Sequence, residues 1–189
     1  MRRKKEEAMQ TRETVLKAAA QIIGRQGVSA FTIDAVAREA GVTKGGVLHH
    51  FPSKEDLING LIEHVMNIFN TRLQEELKAE PEEAPGRWLR AYIRTVFSVQ
   101  YDVNNLIPAL AAAVAADHQT LDRIRRSFEQ SQQAAVNDQL DPVQATIIRL
   151  AVDGLVFTRA LSIDVLDNDT GQKVYDELFR LTQPVAVQF

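Results

Sequence analysis

Residues 35–56 read AVAREAGVTKGGVLHHFPSKED. One helix-like run ends at Gly41, a second starts after Thr43, and a third starts after Ser53. If residues 33–40 and 43–50 form two short helices pivoting on Gly41, then Ile33, Val36, Ala37, Ala40, Val42 and Val47 take the inward positions of a helix-turn-helix unit. All six are apolar or small. Ala37 lets the helices cross closely, and Gly41 can adopt the left-handed conformation that the turn requires.

In such a unit the second helix lies in the DNA major groove with its N-terminal residues at the base edges, while the first crosses the backbone. Thr43 is placed to cap that recognition helix, which leaves Lys44, Gly45 and Gly46 as its first turn. Two glycines there cost about 1 kcal/mol each in helix propensity relative to alanine. Close approach of backbone N–H groups to phosphates or bases is a reason to accept that cost. The competing reading is a flexible glycine loop before an unrelated helix. His49 and His50 suggest a metal at first sight, but adjacent helical residues point about 100° apart and no third ligand is in view. One histidine is expected at a phosphate and the other against Phe51 or the preceding helix.

Charge agrees with a polyanion partner for this end of the chain. The 189 residues carry a formal net charge of -3, but residues 1–54 hold ten Lys and Arg against five Asp and Glu, leaving twelve against twenty in the remainder. A basic head on an acidic body points to the head as the DNA-binding part; the alternative is a solvated basic tail without a partner. There is no cysteine, which excludes disulfides, a thiol nucleophile and cysteine-based zinc sites. No metal and no cofactor are expected. The longest run free of charged residues, 103–116, falls short of the roughly 20 apolar residues a membrane span needs. The basic N-terminus lacks the apolar segment of a secretory signal, so the expected location is cytoplasmic, with no membrane contact.

Outward from the opening stretch, helical periodicity runs almost throughout and strand signals are nearly absent, so the expected class is all-α. A first helix over residues 11–26 presents Leu16, Ala19, Ala20 and Ile23 on one face and stops at Gly27. Thr32 can cap the next, with Asp34 near its positive end. Ser53 and Asp56 form a capping-box-like start for a long helix over residues 54–78, roughly 37 Å at 1.5 Å per residue, carrying Leu57, Leu61, Val65, Phe69 and Leu73. The clearest break is AEPEEAPG, residues 79–86. Helices then read over 87–101, 103–116 with a kink at Pro108, 118–139, 142–166 and 170–182. The helix at 142–166 is apolar nearly all round, which places it at the centre of its own domain or under a second copy of the chain. Within it Arg149, Asp153 and Arg159 need partners, expected across helices or across a dimer.

The run FTIDAVAREAGVTKGGVLHHFPSKEDLI, with the helix and QGVSAFT linker before it, resembles the TetR family of bacterial transcriptional regulators over about residues 11–61. That resemblance implies a three-helix DNA-binding head, residues 1–54 with a basic arm, joined by the long helix to an all-helical ligand-binding and dimerisation domain, residues 55–189. It also implies roles for individual positions: a phosphate contact at Thr32, the groove-facing turn at Thr43, Lys44, Gly45 and Gly46, a phosphate contact at Lys54, and the motif histidine at His50. The sequence departs from the family at Leu48, where a tyrosine reaching the DNA backbone is common, and at His49, where another aromatic is frequent. Leu48 cannot bond a phosphate but can touch a thymine methyl.

Beyond residue 87 the resemblance is one of pattern. AVDGLVFTRAL is similar to a stretch of the dimer-forming helix of some members. The aromatics Trp88, Tyr92, Phe97, Tyr101, Phe128 and Phe157 fall on helices that line the family's ligand cavity, although core packing accounts for aromatics equally. Leu155, Arg159, Tyr175, Leu178 and Phe179 are the candidate dimer-interface residues. The expected protein is a non-enzymatic, ligand-responsive repressor that binds a palindromic operator in double-stranded DNA as a homodimer and is released by a small-molecule effector. The alternatives are a helical adaptor retaining a helix-turn-helix head, and an all-helical enzyme using His49 and His50.

Overall fold

The computed structural model describes residues 2–98, 118–160, 163 and 165–183. These residues form eight α-helices and one 3-10 turn: α1 (Arg2–Gln26), the turn Val28–Ala30, α2 (Ile33–Ala40), α3 (Lys44–His50), α4 (Lys54–Lys78), α5 (Arg87–Ser98), α6 (His118–Val136), α7 (Pro142–Ala160) and α8 (Asn168–Leu181). Among the described residues there is no strand. None of their helices is long and apolar enough to cross a membrane. The expected helix over 103–116, with its kink at Pro108, lies outside the described residues. So does Tyr101. The chain divides into two units, one of Met1–Asn67 with Tyr101–Thr120 and one of Ile68–Gln100 with Leu121–Phe189, and α4 belongs in part to each.

In the first unit, α1, α2, α3 and the start of α4 enclose one core of Val15, Leu16, Ala19, Ile22, Ile23, Phe31, Val36, Ala37, Val47, Phe51, Leu57 and Leu61. Ile33, Ala40 and Val42 pack against it, so the six inward positions read from the sequence all meet the core. Helix α1 begins at Arg2 rather than near residue 11. Residues 2–10 are strong helix formers without glycine or proline, and Thr11 does not cap. Its hydroxyl instead donates back to the Glu7 carbonyl at 2.9 Å, a bond available only inside a continuing helix. Gly27 (φ 78°) stops α1, its N–H donating to the Ile23 carbonyl at 2.9 Å.

The turn between α2 and α3 depends on Gly41, at φ 66° and ψ 28°. Its N–H donates to Arg38 O and that of Val42 to Ala37 O at 3.0 Å, the paired bonds of a Schellman ending. Phe51 closes α3 with its N–H on the Val47 carbonyl and drives its ring against α4. A Cβ added at Gly60 would lie 2.4 Å from Phe51 Cε1. Gly60→Ala is therefore expected to destabilise the head by about 1–3 kcal/mol, even though alanine gains about 1 kcal/mol in helix propensity. Urea unfolding checks the sign, and a gain in stability would show that the Phe51 ring relocates freely.

The second unit packs Leu73, Leu89, Ala91, Tyr92, Ile93, Val96, Ala135, Ala145, Ile148, Val152 and Leu178 into one core. Helix α6 ends at Val136, three residues short of the expectation, and Gln139 takes φ 60°. The buried Asp138 beyond it caps another helix, accepting from the N–H groups of Trp88 and Leu89 at 2.8 Å each. Burial raises the Asp138 carboxyl above its ordinary value, partly offset by these two bonds and by Arg90 and Arg87. Helix α7 is described to Ala160 and Ile163 already lies outside it, short of the expected Leu166, with the Ile163 N–H reaching back to Thr158 O, a longer loop than the α-helical bond. Asp167 then caps α8, accepting from Thr170 N at 2.7 Å.

Arg149 and Asp153 are both buried, and they pair along α7 itself rather than across helices, because a four-residue spacing places them on one face. The neighbouring helices complete the set: Tyr92 of α5 donates to Asp153, and Arg149 Nε donates to Gln132 of α6 at 2.6 Å. Each buried charge thus has bonded partners, the condition on which a low-dielectric core tolerates ions.

Candidate nucleic-acid interface

Thr32 and Thr43 cap α2 and α3 in the same way, each in extended conformation with its hydroxyl accepting from the N–H three residues on, Ala35 at 3.1 Å and Gly46 at 3.0 Å. One side-chain pair joins the first turns of the two helices, with Lys44 Nζ 3.0 Å from Asp34 Oδ2. Thr32, Thr43, Lys44 and Gly45 are exposed, and Gly46 is half-buried.

Among the described residues, nothing inside the molecule requires these two glycines. Both have ordinary helical φ. A Cβ at Gly45 would come no closer than 3.9 Å to another group, and one at Gly46 would meet Thr43 Oγ1 at 3.4 Å and Val42 Cβ at 3.8 Å, ordinary contacts. Gly60 and Gly86, in contrast, face atoms under 2.5 Å from an added Cβ. The fold therefore leaves the first turn of α3 bare without needing it bare. The turn lies at the surface at the positive end of α3, with the Gly46 N–H already bonded to the capping Thr43.

The remaining residues read from the sequence flank this turn. Leu48 is half-buried and His49 exposed. His50 is half-buried, its ring 5.2 Å from that of His49, and burial, followed by the nearby His49 and Arg12, lowers its imidazole pKa, which favours the neutral form. Lys54 is exposed at the start of α4, with Nζ 5.4 Å from the Phe31 ring centre. Two residues were not singled out as functional by the sequence: Arg12, whose guanidinium covers the Phe51 ring at 5.2 Å, and Asp34 as the partner of Lys44. Neither contact has a local sequence signal, because each joins residues at least ten positions apart. Among the described residues no group of three or more His, Asp or Glu could hold a metal ion.

In the second unit the candidate pocket aromatics separate into three places. Trp88 stacks on the buried Tyr92 with ring centres 4.7 Å apart, and Phe69 meets Tyr92 edge-on at 5.7 Å. Phe128 and Phe157 stack on each other at 6.3 Å on the surface. Phe97 meets Tyr175 edge-on at 4.9 Å, and both line an open cleft of 390 Å³ with Glu76, Arg94, Ser98 and Gln172. Of the candidate interface residues, Leu155, Tyr175 and Phe179 are half-buried and Leu178 is buried in its own core. The side chain of Arg159 lies outside the described ones.

The family model for bacterial regulatory proteins of the tetR family matches residues 15–61, and that for the tetracyclin repressor-like C-terminal domain matches residues 86–183, more than half of the chain. The chain belongs to the TetR family. This is a family of regulators, not enzymes, in keeping with the non-enzymatic reading. Among its TetR-family relatives, the HTH-type transcriptional regulator TtgR of Pseudomonas putida is 32% identical over 98 residues, 52% of this chain and 46% of TtgR. The HTH-type transcriptional repressor BepR of Brucella suis biovar 1 is 44% identical over 62 residues, 33% of this chain and 30% of BepR. The chain thus spans about half the length, or less, of these relatives. Among solved structures, SmeT in complex with triclosan superposes with a TM-score of 0.69 at 18% identity, covering 95% of this chain and 94% of SmeT, a likeness of fold.

Proposed function

We propose that this TetR-family chain is a ligand-responsive transcriptional repressor, cytoplasmic, which binds a palindromic operator as a homodimer and leaves it when a small molecule binds. Residues 1–54 act as the DNA-binding head and residues 55–189 as the ligand-binding and dimerisation body. The observation that carries the reading is the first turn of α3: a capped helix N-terminus with a cation at its first position and two glycines that no internal contact demands. Thr43, Lys44, Gly45 and Gly46 enter the groove, with Leu48 and His49 following along the helix. Thr32, His50 and Lys54 hold flanking phosphates.

A second copy is supported by α7. Val143, Ile147, Leu150 and Phe157 are 66%, 59%, 54% and 42% exposed, and their spacing places them on one stripe with the open Gly154. A contiguous apolar stripe on a helix marks an interaction surface. Pairing through it sets two recognition helices about one DNA turn apart, roughly 34 Å, which fits a palindrome. An effector is supported by the cleft beside α4 and by SmeT, a structural neighbour solved with triclosan. Ligand in the body then favours a head spacing that misfits the operator.

Fluorescence anisotropy with DNA from upstream of the protein's own gene, against scrambled DNA, tests the reading across a salt series. Selective binding with a log-log slope of about -0.9 per neutralised phosphate is expected. Equal, weak binding to both DNAs without salt dependence overturns it. Gly46→Leu separates recognition from folding: the helix gains up to about 1 kcal/mol in propensity, while bulk in the groove lowers operator affinity about tenfold, or 1.4 kcal/mol. Undiminished affinity with raised stability would move the groove contact off this turn.

A further inference from the structure

Lys44 stands at the first position of α3, the positive end of a helix, where a cation is disfavoured. No acidic residue in the first turn of α3 offsets it. The offset comes from the adjacent helix, where Asp34 in the first turn of α2 holds Lys44 Nζ at 3.0 Å from Oδ2. Both side chains are exposed, so burial does not force the pair. Its location is what calls for a function. The carboxylate belongs to the residue two positions after the capping Thr32, on the surface proposed to meet DNA, where it repels phosphates and occupies the one cation of the α3 first turn.

We propose that Asp34 is a specificity-determining residue that acts through Lys44. It serves as an internal counter-ion, so Lys44 engages DNA only where the groove offers acceptors good enough to displace a carboxylate. The inference rests on the DNA-binding reading above. A backbone phosphate is a poor displacing group: it is present at every sequence, and pairing Lys44 with it leaves Asp34 unpaired next to negative charge. A guanine edge presents O6 and N7 together in the major groove, set back from the phosphates, and the lysine gains two acceptors at once. Asp34 thereby lowers affinity for random DNA more than for an operator that places guanine opposite Lys44.

The test uses the full chain and two duplexes of about 30 bp, one selected by the wild-type protein from a randomised pool and one of scrambled sequence. Asp34→Asn is expected to raise affinity for the scrambled duplex about threefold, the scale of an exposed ion pair. It should raise affinity for the selected duplex less, and steepen the scrambled-duplex salt slope by about 0.9. Asp34→Glu should keep the wild-type ratio of the two affinities. In a Lys44→Ala background, Asp34→Asn should leave that ratio unchanged, since the coupling runs through the lysine. A ratio that stays constant in Asp34→Asn, or that falls equally with and without Lys44, overturns the proposal. Failure of the DNA-binding reading itself is distinguishable, because the wild-type protein would then show no salt-dependent binding to either duplex before any variant is made.

Discussion

Gly86→Ala is expected to lower the melting temperature by about 10 °C, although it adds a single methyl group at the start of a helix. Gly86 has φ 75°, a conformation that costs an L side chain about 1–2 kcal/mol. The added Cβ would lie 2.2 Å from the Thr182 carbonyl oxygen and 2.9 Å from an Arg90 guanidinium nitrogen. Neither can retreat freely. Arg90 is tied to Glu80 at 2.8 Å and to Pro85 O at 2.8 Å, while Thr182 O is the acceptor of Arg90 Nη1 at 3.2 Å. Overpacking adds about 1–3 kcal/mol. A combined loss of about 3 kcal/mol corresponds to the stated shift for a chain of this size, at about 2–4 °C per kcal/mol. Thermal unfolding followed by circular dichroism checks it, and a change under about 2 °C would show that the junction of α5 with the end of α8 adapts.

Leu150→Glu is expected to produce a folded monomer and to reduce operator affinity at least about 100-fold. The side chain is exposed in its own protomer, so a carboxylate there remains solvated and the fold stands. In the proposed dimer the same carboxylate is buried against the partner's stripe, unpaired, at a cost of several kcal/mol. Once the heads are unlinked, the second no longer binds at the high effective concentration set by the first, a loss on the scale of 10²–10⁴. Light scattering gives the mass and anisotropy the affinity. An unchanged dimer would place the interface elsewhere. Leu178 offers the contrasting result: it is 6% exposed in the core of its own protomer, so Leu178→Glu should unfold the body rather than split a dimer.

The head was legible because its determinants are local. Thr32, Thr43 and Ser53 cap helices through bonds to residues three positions on, and α2 ends through the Gly41 N–H on a carbonyl three residues back and the Val42 N–H on one five residues back. Such bonds are written in residue type and spacing alone. The body was less legible. Phe128 and Tyr92 read alike as aromatics on helices, yet one is exposed and the other buried beneath Trp88. Leu178 and Leu150 read alike as leucines on apolar helices, yet they point to opposite destinations.

Residue type and spacing suffice for the helical class, the helix-turn-helix with its pivot at Gly41, the caps that start α2, α3 and α4, and the span of α4 from Lys54 to Lys78. These follow from periodicity and from hydrogen bonds within one turn of helix. Long-range packing settled which further glycines the fold requires: Gly60 because the Phe51 ring presses on it and Gly86 because the Thr182 carbonyl does, whereas Gly45 and Gly46 meet no such contact among the described residues. It likewise decided that Asp138 caps α5 from 49 and 50 residues away, that Asp153 binds Tyr92, and that Asp34 holds Lys44. One cause is common to all of them. A close approach or an ion pair depends on where two distant pieces of backbone come to rest, and packing of the whole core sets that position, which no local spacing encodes.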